Sequence, residues 1–185
     1  YIYYKKGAIN LYALQEYISE DSLNLALRRF VRDWSLPADK PASDRYATTD
    51  DLLGYFREVT PDSLQYLITD LFETVTLADN EIIDGSFAAT GTDSFRVKLN
   101  IETHKFRVDA DGKSNPVTAN DWIDVGIYGH DLNGVDSLLY LKKHLFLGLE
   151  TMLEIEVAGQ PVRAVIDPKH LLIDRVVGNN WILLE

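Results

Sequence analysis

The sequence contains no cysteine, which excludes disulfide bonds, cysteine-ligated zinc and thiol catalysis. No apolar run approaches the roughly 18 residues that a membrane-spanning helix needs, and no basic-then-apolar leader is present. Positive charge is scarce: the chain has 18 Lys and Arg compared with 29 Asp and Glu, which gives a formal net charge of -11. Since polyanions attract positively charged surfaces, we expect neither nucleic acid nor direct membrane contact as a partner of this chain.

Histidine is also rare, and its positions form no recognisable catalytic or metal motif. The four histidines are His104, His130, His144 and His170. None is paired at i and i+4, the spacing that places two ligands on one helix face in an H-E-x-x-H zinc site. His130 adjoins Asp131, and His170 lies near Asp167 and Asp174, as a catalytic base and its orienting group would. Because no G-x-S-x-G nucleophile elbow accompanies them, we interpret these as turn or surface residues.

The first part of the chain, residues 1–77, has the periodicity of helices. The segment 8–18 is apolar over most of a helix circumference, so we expect protein on several sides of this helix. Ser19 is predicted to cap a second helix, because acidic residues follow it in the first turn. The inward stripe of that second helix is predicted to be Leu23, Ala26, Leu27, Phe30, Val31 and Trp34.

Two further helices are expected after a proline-containing loop at 35–47. Thr48 or Thr49 is predicted to cap the third helix. Thr60-Pro61 predicts the start of a fourth, since a cap followed by proline at the first helical position is a strong start signal. The apolar stripe of the fourth helix would extend to Val75.

After residue 77 the periodicity shortens to two, which is typical of strands with one buried face. Strands are predicted at 94–101, 122–129, 137–146, 151–157 and 161–166, separated by turn sequences. About seven short strands at this spacing suggest an antiparallel sandwich over residues 78–185. The predicted fold class is therefore α+β: an N-terminal α-helical bundle segment (1–77) followed by an antiparallel β-sandwich domain (78–185).

Two features of the second part allow either a binding or a structural interpretation. The segment 109–112 begins like a calcium loop, D-x-D-G, but lacks the rest of the pattern, so we interpret it as a hairpin turn. Trp122, Trp181 and Tyr128 could line a ligand groove. Strand aromatics more often fill a sandwich core, and we assign these three to the core.

The stretch that opens the chain resembles the Y-x-K-G region of the aminopeptidase N-like zinc metallopeptidases, the gluzincins. It reads Tyr4-Lys5-Lys6-Gly7, and it is followed by a helix-forming segment, by Ile18-Ser19-Glu20-Asp21, and by a helix ending in Trp34. Further along, LADNEIIDGSFAATGTDSFRVKLN, NDWIDVGIYG, LYLKKHLF and AVIDPKHLLIDR are similar to the C-terminal part of bacterial proteins in which such a peptidase is fused to an ABC-type permease. The resemblance spans nearly the whole chain.

The resemblance implies a catalytic role for Tyr4. The corresponding tyrosine of the family donates a hydrogen bond to the oxyanion formed during peptide hydrolysis on zinc, and a phenol with a pKa of about 10 keeps its proton at neutral pH. Lys6 and Gly7 are the supporting motif. Gly7 would allow close approach of another backbone segment, and Lys6 would be either a solvated charge or a salt-bridge partner. The Lys6-Gly7 pair identifies Tyr4, rather than Tyr3, as the matching tyrosine. Outside the family, Tyr4 would be an amphipathic residue at a helix edge.

Two motifs of the family are absent: H-E-x-x-H with its downstream Glu, and the exopeptidase motif that grips the substrate's amino terminus. Both normally precede the Y-x-K-G region. The resemblance therefore implies a C-terminal fragment of a longer polypeptide, and the first residue is Tyr rather than Met. We expect this chain alone to hold no metal or other cofactor and to be inactive, with zinc bound elsewhere in the parent.

The implied function is to supply the oxyanion-stabilising tyrosine and an accessory β domain to a zinc aminopeptidase. Its partner would be the remainder of the peptidase domain, and peptide would be the substrate of the parent. The alternative is a peptidase-like receptor or scaffold without its metal, in which this part is a non-catalytic module that binds peptide or protein. The sequence itself specifies no compartment, whereas similarity to the permease-fused group would place the peptidase part outside the cytoplasm.

Overall fold

The computed structural model describes residues 6–35, 46–131 and 133–185. The chain divides into two compact units, Tyr1–Val75 and Thr76–Glu185. The first is helical and the second is built from antiparallel sheets in a sandwich-like arrangement, so the predicted α+β fold class is confirmed. None of the helices in the described ranges has both the length and the apolar character needed to cross a bilayer.

Four helices are described in the helical unit: α1 (Gly7–Ile18), α2 (Glu20–Trp34), α3 (Thr49–Val59) and α4 (Tyr66–Ile68). Ser19 caps α2, since its hydroxyl oxygen accepts a hydrogen bond from the backbone N–H of Ser22. Thr48 caps α3 in a reciprocal capping box with Asp51. Both caps are as the sequence predicted, because a short side-chain oxygen there satisfies an otherwise unpaired N–H.

The prediction that Thr60-Pro61 starts a regular fourth helix is wrong. The Thr60 hydroxyl donates to the carbonyl of Phe56 at 2.7 Å and so closes the end of α3. Pro61 is extended, with ψ of 150°. The chain then forms a 3-10 turn at Asp62–Leu64, the short α4, and a π-helical turn at Thr69–Glu73.

Two residues predicted to be inward-facing in the helices are exposed. Val31 lies roughly 80° around α2 from Leu23 at 100° per residue, at the edge of the buried stripe, and it faces solvent. Val75 does not belong to a helix, because it is the first residue of a strand, and it is also exposed.

The β unit contains eight described strands: β1 (Val75–Gly91), β2 (Ser94–Val108), β3 (Ser114–Val117), β4 (Asn120–His130), β5 (Asp136–Leu147), β6 (Glu150–Ala158), β7 (Gln160–Ile166) and β8 (Trp181–Leu183). The first sheet has the order β1-β2-β3, with β6 also paired to β2; the second has the order β5-β4-β7-β8. All five predicted strands are present. The strands β1, β3 and β8 were not predicted, and the 109–112 segment forms the hairpin turn between β2 and β3.

The core of the β unit is built from alternate residues of both sheets. Its members include Val97, Leu99 and Ile101 of β2, Ile123, Val125 and Ile127 of β4, Phe146 of β5, and Ala164 and Ile166 of β7. Because side chains alternate along a strand, the residues between them lie on the two outer faces. We call these the first-sheet face and the second-sheet face.

Candidate functional site

The tyrosine that the family resemblance singles out, Tyr4, lies outside the residues that the structure describes. Lys6 directly precedes α1 with helical backbone angles and forms no side-chain cap. Gly7 is the first residue of α1, and no described atom lies within 4 Å of the position that a Cβ would take there. The close backbone approach expected at Gly7 is therefore not present within the described part of the chain.

Helix α1 is apolar on two sides, and only one of them is covered in the described structure. Ala13 and Leu14 are completely buried in the helical unit. On the other side, Ile9 is 50% exposed and Tyr12 is 47% exposed. The helix thus presents large apolar side chains to solvent one turn after the Y-x-K-G stretch.

The aspartates beside the histidines build turns, as the sequence analysis interpreted them. Asp131 accepts the backbone N–H groups of Asn133 and Val135 at 2.8 and 2.9 Å, and these bonds lower its pKa. Asp167 accepts the backbone N–H groups of residues 171–172, each at 2.9 Å. Burial nevertheless raises the pKa of Asp167. Both carboxylates accept backbone N–H groups and so stabilise their turns.

One histidine has an aromatic partner that the sequence analysis did not identify. The Tyr140 hydroxyl lies 2.9 Å from Nε2 of His144 on β5. Burial, followed by the positive charge of Lys142, lowers the pKa of His144, and burial raises the pKa of Tyr140. Both changes favour neutral side chains, which suits a structural hydrogen bond. Among the residues that the structure describes, no three His, Asp or Glu side chains form a group that could hold a metal ion.

The first-sheet face is a ladder of charged and polar pairs. Three pairs cross from β2 to β6: Arg96 with Glu156 at 3.0 Å, Lys98 with Glu154 at 2.9 Å, and Asn100 with Glu150 at 2.9 Å. Opposite charges therefore face each other across the strands, an arrangement that satisfies them in water. This face has the composition of an ordinary solvated surface.

The second-sheet face is different, because its central row is mostly apolar. Tyr128 of β4 has Leu138 of β5 on one side and Arg163 of β7 on the other, and Arg163 pairs in register with Leu183 of β8. Leu183 is 58% exposed, and Leu138 is also exposed. One row thus crosses all four strands with three large side chains and a single cation.

The assignment of the strand aromatics to the core is wrong. Trp122 and Tyr128 alternate with the core residues Ile123, Val125 and Ile127, so they lie on the opposite side of β4. Trp181 is 47% exposed. The error arose because large aromatic side chains lie on the outer side of β4, opposite its aliphatic core residues, and an aromatic residue in a strand does not by itself show which side faces the other sheet.

Two adjoining cavities lie on the second-sheet face and share Tyr128 and Arg163. The first has a volume of about 590 Å³ and is also lined by Leu138, Leu183, Ser137 and His130. The second has a volume of about 310 Å³ and is also lined by Val165, His170 and Trp181. The backbone of β4 makes room for the shared tyrosine, since a Cβ at Gly126 would lie 3.2 Å from Tyr128 Cε2.

Arg163 is the charged centre of this face. Its guanidinium carbon lies 4.9 Å from the centroid of the Tyr128 ring, a distance typical of cation–π stacking. Among the described side chains, no carboxylate is within ion-pairing distance of it. Elsewhere on the same face, Lys143 Nζ lies 2.6 Å from Asp124 Oδ2, so these two charges neutralise each other. The sequence gives no signal for Arg163, because a lone basic residue in a strand usually faces solvent and has no binding role.

No protein-family model matches the chain, and no curated protein sequence matches it significantly. Two surfaces that expose large apolar side chains are the candidate functional surfaces: the outer side of α1 and the second-sheet face. Both have the character of binding surfaces.

Proposed function

We propose that this chain is the C-terminal part of a zinc aminopeptidase-like polypeptide, to which it supplies an oxyanion-stabilising tyrosine, Tyr4, and an accessory β unit. The observation that carries the proposal is the uncovered apolar side of α1. A helix with Ala13 and Leu14 buried behind it and with Ile9 and Tyr12 exposed in front is suited to lie between two bodies of protein. Burial of each half-exposed side chain would contribute on the order of 1 kcal/mol to such docking.

The position of Tyr4 supports the same proposal. It stands three residues before α1 in the sequence, and Ile9 lies in the first turn of that helix. The proposal is that the body of protein that covers the exposed side of α1 also receives the Tyr4 hydroxyl. A neutral phenol there donates its proton in a hydrogen bond to a developing oxyanion, and a zinc ion held by residues outside this chain would supply the Lewis acid.

The test is the substitution Tyr4→Phe in the longer polypeptide that carries this chain. Loss of one oxyanion donor is expected to lower kcat about a hundredfold or more, with a much smaller change in KM, because the bond forms in the transition state. Hydrolysis of an aminoacyl anilide with and without a zinc chelator measures both the activity and its metal dependence. Tyr3→Phe and Tyr12→Phe are matched controls that also remove one hydroxyl.

The controls are expected to retain kcat within a factor of about two, since neither hydroxyl has a proposed contact with substrate. If Tyr4→Phe behaves like them, Tyr4 has no catalytic role and the proposal is wrong. The 185-residue chain alone is expected to show no hydrolysis above buffer.

A second candidate function is favoured by the second-sheet face. Two cavities that share Tyr128 and Arg163, a cation with no carboxylate partner among the described side chains, are suited to recognition of another molecule. In this alternative the parent is a peptidase-like scaffold without zinc, and the β unit is a peptide- or protein-binding module. An intact H-E-x-x-H motif and chelator-sensitive activity in the parent would favour the enzyme, and their absence would favour the scaffold.

A further inference from the structure

We infer that the second-sheet face binds an extended peptide segment of another polypeptide, in which one Asp or Glu side chain stands among apolar residues. Arg163 pairs with that carboxylate, and the apolar side chains occupy the two cavities beside it. The inference deepens the second candidate function by naming the site and its ligand. It does not depend on whether the parent polypeptide hydrolyses peptides.

Charge is the first reason. The chain has 29 Asp and Glu, yet none of them lines either cavity among the side chains that the structure describes. Besides Tyr128, the titratable side chains that line the cavities are Arg163, His130 and His170, and none of these is a carboxylic acid. A locally basic surface on a strongly acidic protein is complementary to an anionic group.

The geometry of Arg163 is the second reason. The guanidinium carbon lies over the Tyr128 ring, and this contact restricts the side chain while its N–H groups remain at the edges of the guanidinium plane. These edges match the two oxygens of a carboxylate in a bidentate pair. The comparable arginine of the first-sheet face, Arg96, already has such a partner in Glu156.

The apolar surroundings are the third reason, and they select a peptide rather than a small anion. Leu138 and Leu183 lie at opposite ends of the row that contains Arg163, and Trp181 borders the second cavity. A small carboxylate bound at Arg163 would leave these side chains in water. An extended segment would cover them and also exclude water from the ion pair, which strengthens it.

The dimensions of the face fit a short extended segment. Four strands about 4.8 Å apart span roughly 14 Å, which corresponds to about four or five extended residues at about 3.3 Å per residue. One acidic residue near the middle would thus have apolar neighbours on both sides within reach of the cavities. Peptides of about seven residues are long enough to test this.

The experiment uses the 185-residue chain and three pools of fluorescent peptides of about seven residues, acetylated and amidated at their ends. The central residue is Glu, Gln or Lys, and the flanking positions are mixtures of Leu, Phe, Val and Ile. Fluorescence anisotropy measures binding. We expect the Glu pool to bind at least about tenfold more tightly than the Gln pool, and the Lys pool most weakly, because a charge-assisted bond is lost.

Substitutions then locate the preference. Arg163→Gln should reduce binding of the Glu pool to the level of the Gln pool, whereas Arg163→Lys should retain part of the preference because it keeps the charge but not the planar fork. Arg96→Gln is the matched control on the first-sheet face and should change nothing. Near-ultraviolet circular dichroism verifies that each variant is folded, and an exposed arginine is a position where folding should be retained.

Several outcomes would overturn the inference. Equal binding of the Glu and Gln pools would show that no carboxylate is read, although it would still support a peptide-binding module. A preference that survives Arg163→Gln would place the anion site elsewhere. A Gln pool with a free carboxyl terminus that equals the capped Glu pool would identify a chain end as the ligand. A dimer in sedimentation that Leu183→Lys converts to a monomer would identify a second copy of this chain.

Discussion

The two outer faces of the β unit cover the same core, but their side chains differ in charge and polarity. On the first-sheet face, three side-chain contacts between β2 and β6 join a basic or amide side chain to a glutamate. On the second-sheet face, the row through Tyr128 has large apolar side chains and one cation, Arg163, without a described carboxylate partner. The paired charged and polar groups of the first-sheet face are suited to contact with water, whereas the second-sheet face exposes apolar area that another polypeptide could cover.

This difference shows that exposure alone does not identify a functional surface. Met152 on β6 is among the exposed apolar residues, and it stands singly beside the charged ladder. Leu183 and Trp181 are exposed to a similar degree but adjoin cavities. A single exposed apolar residue is normal on a protein surface, while a contiguous set around a charge with no partner among the described side chains is unusual.

The largest expected difference between the two faces is the loss of stability when a lysine on each face is replaced by methionine. Lys143→Met would leave Asp124 without its cation, and the side chain of Asp124 is only 6% exposed in the pair. We expect the free energy of unfolding to fall by about 3 kcal/mol, at the low end for a buried pair because Lys143 is still 24% exposed. Lys98→Met on the first-sheet face is the matched control and should have little effect, since both of its paired side chains are more than half exposed.

Urea unfolding monitored by tryptophan fluorescence measures both variants. A second variant separates the lost ion pair from lost packing: Lys143→Met combined with Asp124→Leu should recover much of the stability, because it removes the uncompensated charge as well. Equal losses for Lys143→Met and Lys98→Met would contradict the distinction between a buried pair and a solvated ladder.

A somewhat smaller effect is expected at the backbone of the second-sheet face. A Cβ at Gly129 would lie 2.1 Å from the carbonyl oxygen of Gln160 and 2.9 Å from Pro161 Cα, so β4 and β7 would have to separate. Gly129→Ala should therefore cost about 1–3 kcal/mol of stability. Gly91→Ala is the matched control, because the nearest atom, Ser94 Cβ, is 3.8 Å away. A thermal melt of both variants measures the difference, and a Gly129→Ala protein as stable as Gly91→Ala would contradict the described pairing.

The parts of this fold that the sequence predicted are those in which local signals and tertiary packing agree. Ser19 and Thr48 are caps because a hydroxyl oxygen at a helix start can accept a hydrogen bond from an otherwise unpaired backbone N–H of the first turn. The β2 strand alternates clearly because its inner residues Val97 and Leu99 meet the core and its outer residues meet water. In such elements a single periodicity determines both the structure and the buried face.

The remaining elements depend on contacts that lie far apart in the chain. Thr60 has the sequence of a helix start, but its hydroxyl is used by the preceding helix. Strand β8 is only three residues long and exists through its pairing with β7. The candidate site is of this kind too, since Tyr128 and Arg163 meet only when β4 and β7 pair. No local pattern predicts that the arginine has no carboxylate partner among the described side chains.

The smallest predicted effect uses acid to distinguish the two faces. The hydrogen bond and positive charge of Lys98 lower the pKa of Glu154. In the window between this lowered pKa and the ordinary pKa of about 4.5, the unfolded chain therefore holds more protons than the folded one. The stabilisation from Glu154 is complete above that window and is lost as the pH falls through the lowered pKa. The difference in melting temperature between the wild type and Glu154→Gln should accordingly be constant near neutral pH and shrink toward about pH 3. It should also shrink in about 0.5 M salt, because exposed pairs are screened.

Arg163→Gln, which removes no described ion pair, should show a difference in melting temperature from the wild type that does not change over the same pH range. An acid-dependent difference at Arg163 would mean that a carboxylate of this chain already occupies the second-sheet face, and the contrast between the faces would then be lost.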